Sequence, residues 1–109
     1  MSETFDMEFD MDMQNYDDYL QKLRQFKQQY SLEYGIERIG IFGSMARGEE
    51  TSESDLDVLV EAPVLSLLSL VGMKRRLEEI MGVSVDVVRK TEYMPLHFKA
   101  RVEKEVIYA

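Results

Sequence analysis

The chain has 109 residues, carries a formal net charge of -8 and contains no cysteine. That length gives one domain with a single modest core and leaves no room for a second, substrate-binding domain. Disulfides, thiolate zinc sites and cysteine nucleophiles are excluded, and a reducing, cytoplasmic setting suits such a chain.

The acidity is local. Residues 1–18 hold seven acids and no base, whereas the remainder holds 14 acids and 13 bases. Phosphate repels such a chain, so general nucleic-acid binding is not expected. The longest apolar stretch, residues 62–73, is broken by Pro63, Ser66, Ser69 and Gly72 and is too short to span a membrane. The start of the chain lacks the basic and apolar regions of a secretory signal.

In chain order, residues 5–13 alternate apolar and acidic: Phe5, Met7, Phe9, Met11 and Met13, with Asp6, Glu8, Asp10 and Asp12 between them. Period two suggests an extra strand for a sheet edge. Asp is a poor strand former, so an acidic tail is the other reading. Residues 1–14 are thus a separate acidic segment, and residues 15–109 form the domain.

Tyr16, Tyr19, Leu20, Leu23, Phe26 and Tyr30 recur at helical spacing, which predicts a helix over residues 16–33. Asn15 or Asp17 supplies its cap and Gly35 its stop. A β-rich run, residues 38–42, leads into Gly43-Ser44. Residues 56–60 are the next strand, 65–81 a second long helix ended by Gly82, 83–88 a third strand, and 92–105 a last helix starting near Pro95. The fold class is α/β (α+β): a mixed three-stranded core sheet with helices packed on it, and the N-terminal segment as a possible extra strand.

The chemistry gathers around Gly43-Ser44-Met45-Ala46-Arg47-Gly48 and Ser54-Asp55-Leu56-Asp57. Gly43 at a strand end lets a ligand approach the backbone. Ser44 opens a short helix whose free amides, with its hydroxyl, favour a phosphate. Arg47 adds charge or pairs with an acid. Asp55 and Asp57, two apart, share a strand face and repel each other unless a cation lies between them. Hard oxygen ligands so spaced suit Mg²⁺ or Mn²⁺. Asp86 lies in a Val-rich run that reads as buried on both faces, where an unpaired carboxylate is costly. Beside the pair it becomes a third ligand and a proton acceptor. To gather these groups, the first two strands must run antiparallel and the third parallel to the second, with Asp86 next to Asp57.

The segments Phe42-Gly43-Ser44-x-Ala46-Arg47-Gly48, Ser54-Asp55-Leu56-Asp57-Val58-Leu59-Val60 and Val85-Asp86-Val87-Val88 resemble the minimal nucleotidyltransferases (MNT domains) of the DNA polymerase β-like superfamily. The resemblance covers most of the chain, from about Ile36 to the end. It implies transfer of NMP from an NTP, ATP by default, with two Mg²⁺ ions held by Asp55, Asp57 and Asp86. Gly43 and Ser44 would hold the triphosphate, with Arg47 matching the motif beside them. It also implies an acceptor on another protein: a tyrosine of a HEPN-domain ribonuclease toxin, for which the chain would be the antitoxin. The alternatives are an antitoxin that neutralises by stoichiometric binding, and a small-molecule nucleotidyltransferase with a separate acceptor-binding subunit.

Of the other residues, His97, the only histidine, reads as a surface or packing residue. Lys74, Arg75 and Arg76 read as a solvated face. Lys99, Arg101, Glu103, Lys104 and Glu105 read as an exposed helix face with local pairing. Tyr108 is a remote self-labelling target.

Overall fold

The computed structural model describes residues 11–49, 55–63 and 65–109. The elements are α1 (Met11–Tyr34), β1 (Arg38–Phe42), α2 (Ser44–Arg47), β2 (Leu56–Glu61), α3 (Leu67–Met81), β3 (Val85–Arg89), α4 (Leu96–Glu105) and β4 (Ile107–Tyr108). The sheet order is β3-β2-β1-β4. Strand β1 pairs antiparallel with β2 and β4, while β2 and β3 run parallel. Both orientations expected for the first three strands are observed.

Period two sorts the side chains of the sheet into two layers. Ile39, Ile41, Leu56, Val58, Val60 and Val85 share one face and are buried in the larger core with Leu23 and Phe26 of α1 and Met73 and Leu77 of α3. The register places Phe42 and Leu59 on the other face, where they bury Val102 of α4 in a smaller cluster. Helices therefore cover both faces. Each fully buried Leu or Phe contributes about 1.5–3 kcal/mol, so the larger core dominates stability. Leu77→Ala there costs about 2–5 kcal/mol.

Helix α3 begins where Ser66 accepts a hydrogen bond from the Ser69 amide at 3.1 Å, and it ends at Gly82 in the left-handed region. Its basic run is not simply solvated. Lys74 Nζ donates to Glu78 and to the Val85 carbonyl, and Arg76 donates to the Tyr30 hydroxyl at 2.8 Å.

Three expectations are corrected. The first helix starts at Met11, so neither Asn15 nor Asp17 is its cap, and Met11 to Met13 are helical instead of strand. Met and Gln are good helix formers and Asp a poor strand former, so the described helix includes the last three residues of the alternation, Met11 to Met13. The remainder of the expected extra strand, residues 5–10, lies outside the described residues. Among the described residues the sheet has a fourth strand that was not expected: Ile107–Tyr108 lies against Ile41 and Gly40. Gly40 permits this approach, because a Cβ there would come within 2.7 Å of the Ile107 carbonyl oxygen. Finally, the third strand begins at Val85 rather than Val83, and it is an edge strand with Asp86 exposed. The reasoning that Asp86 is buried without a partner therefore fails.

Candidate functional site

The site forms where β1 ends and β2 begins. The chain leaves Phe42 and turns at Gly43, with φ 80 and ψ -153, into α2, which Gly48 closes in the left-handed region. Only glycine suits position 43 on two counts. Its φ lies where side chains are strained, and an added Cβ would overlap the Asp57 carboxylate. The Gly43 backbone thus rests directly on Asp57.

Register brings the acids together. Phe42 pairs with Asp57, and Asp57 pairs with Asp86 across the parallel ladder. Asp55 precedes β2 by one residue and lies two before Asp57. Asp57 is half-buried, whereas Asp55 and Asp86 are exposed. Burial raises the Asp57 pKa, and the charges of Asp86 and then Asp55 raise it further; Arg47 and Arg101 pull it down. A half-buried carboxylate in the company of two others has too few cations for its charge. That is the electrostatic condition of a site that attracts a hard cation. Among the described residues, no three metal-ligating side chains sit close enough to form a ready-made cage. The donors share an end of the sheet and are all hard oxygen ligands, which fits Mg²⁺ or Mn²⁺ in chemistry.

Gly43, Ser44 and Arg47 occupy the turn and short helix expected of them. Arg47 is held by two acids. Its Nε donates to Glu49 at 3.0 Å, and its Nη1 donates to Glu105 at 2.9 Å. Glu105 also accepts from Arg101 Nε at 3.3 Å. Between α2 and α4 an open cleft of about 670 Å³ is lined by Ala46, Arg47, Ala100, Arg101, Lys104 and Glu105.

Arg101 and Glu105 are the residues that the sequence reading missed, having placed them on an exposed helix face. Glu105 is largely buried, its side chain only 14% exposed. The available signal was topological. A helix that returns the chain to pair with β1 must cross the sheet, and its last turn then lies over the Gly43 turn.

Other candidates fall away from this site. The Tyr108 hydroxyl donates to Glu61 at 2.6 Å, at the opposite end of β2, and is not a free acceptor. His97 is exposed on α4. No helix among the described residues is long and apolar enough to cross a membrane.

Known proteins resemble this chain in sequence and in fold. A family model described as a nucleotidyltransferase domain matches residues 20–109. A candidate protein adenylyltransferase of Methanocaldococcus jannaschii is 44% identical over 77 residues, covering 70% of this chain and 82% of that protein. The protein adenylyltransferase MntA of Thermococcus cleftensis is 37% identical over 76 residues, covering 69% and 76% respectively. Among solved structures, that of a candidate minimal nucleotidyltransferase superposes with a TM-score of 0.65 at 34% identity, covering 81% of this chain and 93% of that one. A chain in the complex of the tri-AMPylated Shewanella oneidensis HEPN toxin with MNT antitoxin shares the fold, with a TM-score of 0.56 at 17% identity and coverage of 89% and 70%.

Proposed function

Since the chain belongs to the nucleotidyltransferase domain family, we propose that it transfers AMP from ATP to a tyrosine hydroxyl of a HEPN-domain toxin and thereby acts as that toxin's antitoxin. The observation that carries the reading is the half-buried Asp57, pressed against Gly43 on one side and paired in register with Asp86 on the other. The names of the relatives support AMP as the transferred group. The toxin complex that shares the fold supports the partner class.

In this reading each residue has a definite task. The backbone at Gly43 and Ser44, with the Ser44 hydroxyl, receives the triphosphate. Arg47 adds a planar, permanently charged donor beside it. Asp55, Asp57 and Asp86 are the ligands that would hold Mg²⁺, with Mn²⁺ as a substitute. Bound there, the metal supplies positive charge that lets the three carboxylates ionise together and offsets charge on the phosphates. Asp86 is the outermost acid and takes the proton of the acceptor hydroxyl. The acceptor oxygen bonds to the α-phosphorus, the bond from that phosphorus to the bridging oxygen breaks, and pyrophosphate leaves. Asp55 and Asp86 are exposed, so the acids open outward, as a protein acceptor requires.

The test is a labelling assay. The chain is incubated with a HEPN-domain toxin of the same cell, Mg²⁺ and ATP labelled on the α-phosphate. The expected result is a labelled toxin, the label mapping to tyrosine, and no label with Asp55→Ala/Asp57→Ala. An unlabelled toxin that the double variant still neutralises would replace catalysis by stoichiometric binding. Label on a small molecule would replace the acceptor.

A further inference from the structure

We propose that Glu105 is a positioning residue of the nucleotide-phosphate site, holding the Arg47 and Arg101 guanidiniums beside the Gly43–Ser44 turn and away from the three aspartates. The inference rests on the nucleotidyl-transfer reading and adds to it a residue outside the recognisable motif.

The geometry is that of a shared anchor. Glu105 closes α4, and one of its oxygens, Oε2, accepts from both Arg47 Nη1 at 2.9 Å and Arg101 Nε at 3.3 Å. Its other oxygen, Oε1, is buried with no well-formed hydrogen bond, and the Gly43 backbone amide is the group close enough to favour its charge. A largely buried carboxylate with one oxygen unsatisfied is a costly way to fasten a helix end, and the exposed pairs elsewhere on this surface show cheaper ways. What it secures is the direction of two cations. Both arginines meet at the turn that rests on Asp57: Arg47 closes the short helix after Gly43, and Arg101 shares a Glu105 oxygen with it.

Without Glu105, Arg101 would lose this counterion and Arg47 would keep only the exposed Glu49, so both guanidiniums would be drawn toward the nearest excess of negative charge. That excess is the Asp55–Asp57–Asp86 group. Paired there, they would spend the charge meant for a cation. Glu105 supplies a competing carboxylate at the end of α4. Arg101 engages it through Nε, and Arg47 through Nη1 with its Nε on Glu49, so each keeps further N–H donors on its Nη atoms for phosphate oxygens. Both arginines line the cleft between α2 and α4, together with the cation Lys104 and the small side chains Ala46 and Ala100. The β- and γ-phosphates, which become the pyrophosphate leaving group, are the chemistry this cleft fits.

The test measures MgATP binding to the full chain by calorimetry, with thermal unfolding as a check on folding. Glu105→Ala is expected to weaken MgATP binding about tenfold, as for loss of charge-assisted hydrogen bonds. The near-isosteric Glu105→Gln, used alone should the alanine variant not fold, is expected to weaken it about threefold. In an Arg47→Ala/Arg101→Ala background, adding Glu105→Gln is expected to change affinity less than about twofold, because nothing remains to be positioned. Equal binding by wild type and both Glu105 variants overturns the proposal and leaves the function standing. So does a loss that persists undiminished in the arginine-free background. Wild type that binds no nucleotide overturns both.

Discussion

Strand β2 carries a half-buried carboxylate at each end, and the two are treated in opposite ways. Asp57 and Glu61 lie on the same face of the strand, on either side of the fully buried Leu59, roughly 13 Å apart at the usual strand rise. Burial acts to raise the pKa of both. At Glu61 it is outweighed: the Tyr108 hydroxyl donates at 2.6 Å, Arg38 donates at 3.1 Å, and Lys90 stands 3.6 Å away, so the net shift is downward. At Asp57 burial is reinforced by Asp86 and Asp55, and the shift is upward. One end is a completed ionic network that ties β4 and α4 to the sheet. The other is left short of positive charge. The difference teaches where to look for chemistry: at the carboxylate whose surroundings leave its charge uncompensated.

The comparison breaks most visibly in activity. Asp55→Ala/Asp57→Ala is expected to lower AMP transfer by about three orders of magnitude or more, as for loss of the groups that stabilise transition-state charge. Glu61→Gln is expected to leave transfer within about twofold at a temperature where both proteins are folded. A single label-transfer assay covers both variants.

Stability reverses the ranking. Glu61→Ala is expected to cost about 2 kcal/mol in urea unfolding, because it strips bonds from three partners. Asp57→Asn is expected to raise the unfolding midpoint at neutral pH, since it removes a charge the fold disfavours. A fall in stability for Asp57→Asn would mean that its charge is already satisfied. Mg²⁺ at about ten times its dissociation constant is expected to stabilise the wild type by about 1.4 kcal/mol and leave Asp55→Ala/Asp57→Ala unmoved.

Tyr108→Phe is expected to cost about 1 kcal/mol and to leave transfer unaffected. The pH dependence sharpens the same contrast. Glu61 has a lowered pKa, so its stabilisation is present above the ordinary value of 4.5 and is lost as pH falls through its folded value. Asp57 has a raised pKa, so the wild type loses stability as pH rises from 3.8 through its folded value. Hence the deficit of Glu61→Gln should vanish on acidification, and the surplus of Asp57→Asn should vanish over the same descent. Midpoints from thermal scans across that range check both signs.

Much of the candidate site was legible because the residues that fix the backbone there are also the ones to which the chemistry is assigned. Gly43 marks both the end of β1 and the contact with Asp57. The need to gather Asp55, Asp57 and Asp86 gave strand directions that periodicity alone does not. The reading of Asp86 succeeded in register and failed in burial, since a Val-rich run looks the same in a central strand as at an edge. Strand β4 was illegible because two residues carry no period; its existence depends on Gly40 admitting a close backbone. Glu105 was illegible for a related reason. Its spacing from Arg101 looks like an ordinary surface pair, and only the path of α4 across the sheet turns it inward.

The contacts of Lys74 and Glu78 with Val85 have a consequence for how this protein can assemble. Lys74 Nζ takes the Val85 carbonyl at 2.6 Å, and Glu78 takes the Val85 amide at 3.1 Å. Two side chains of α3 thus stand in for a neighbouring strand at the first rung of the outer edge. A foreign strand that zips onto a sheet needs such rungs vacant, and here it would have to unseat an ion pair before making its first bond. Growth of the sheet is discouraged at the very end where Asp86 stands. At this rung of the β3 edge an incoming strand finds the backbone already taken.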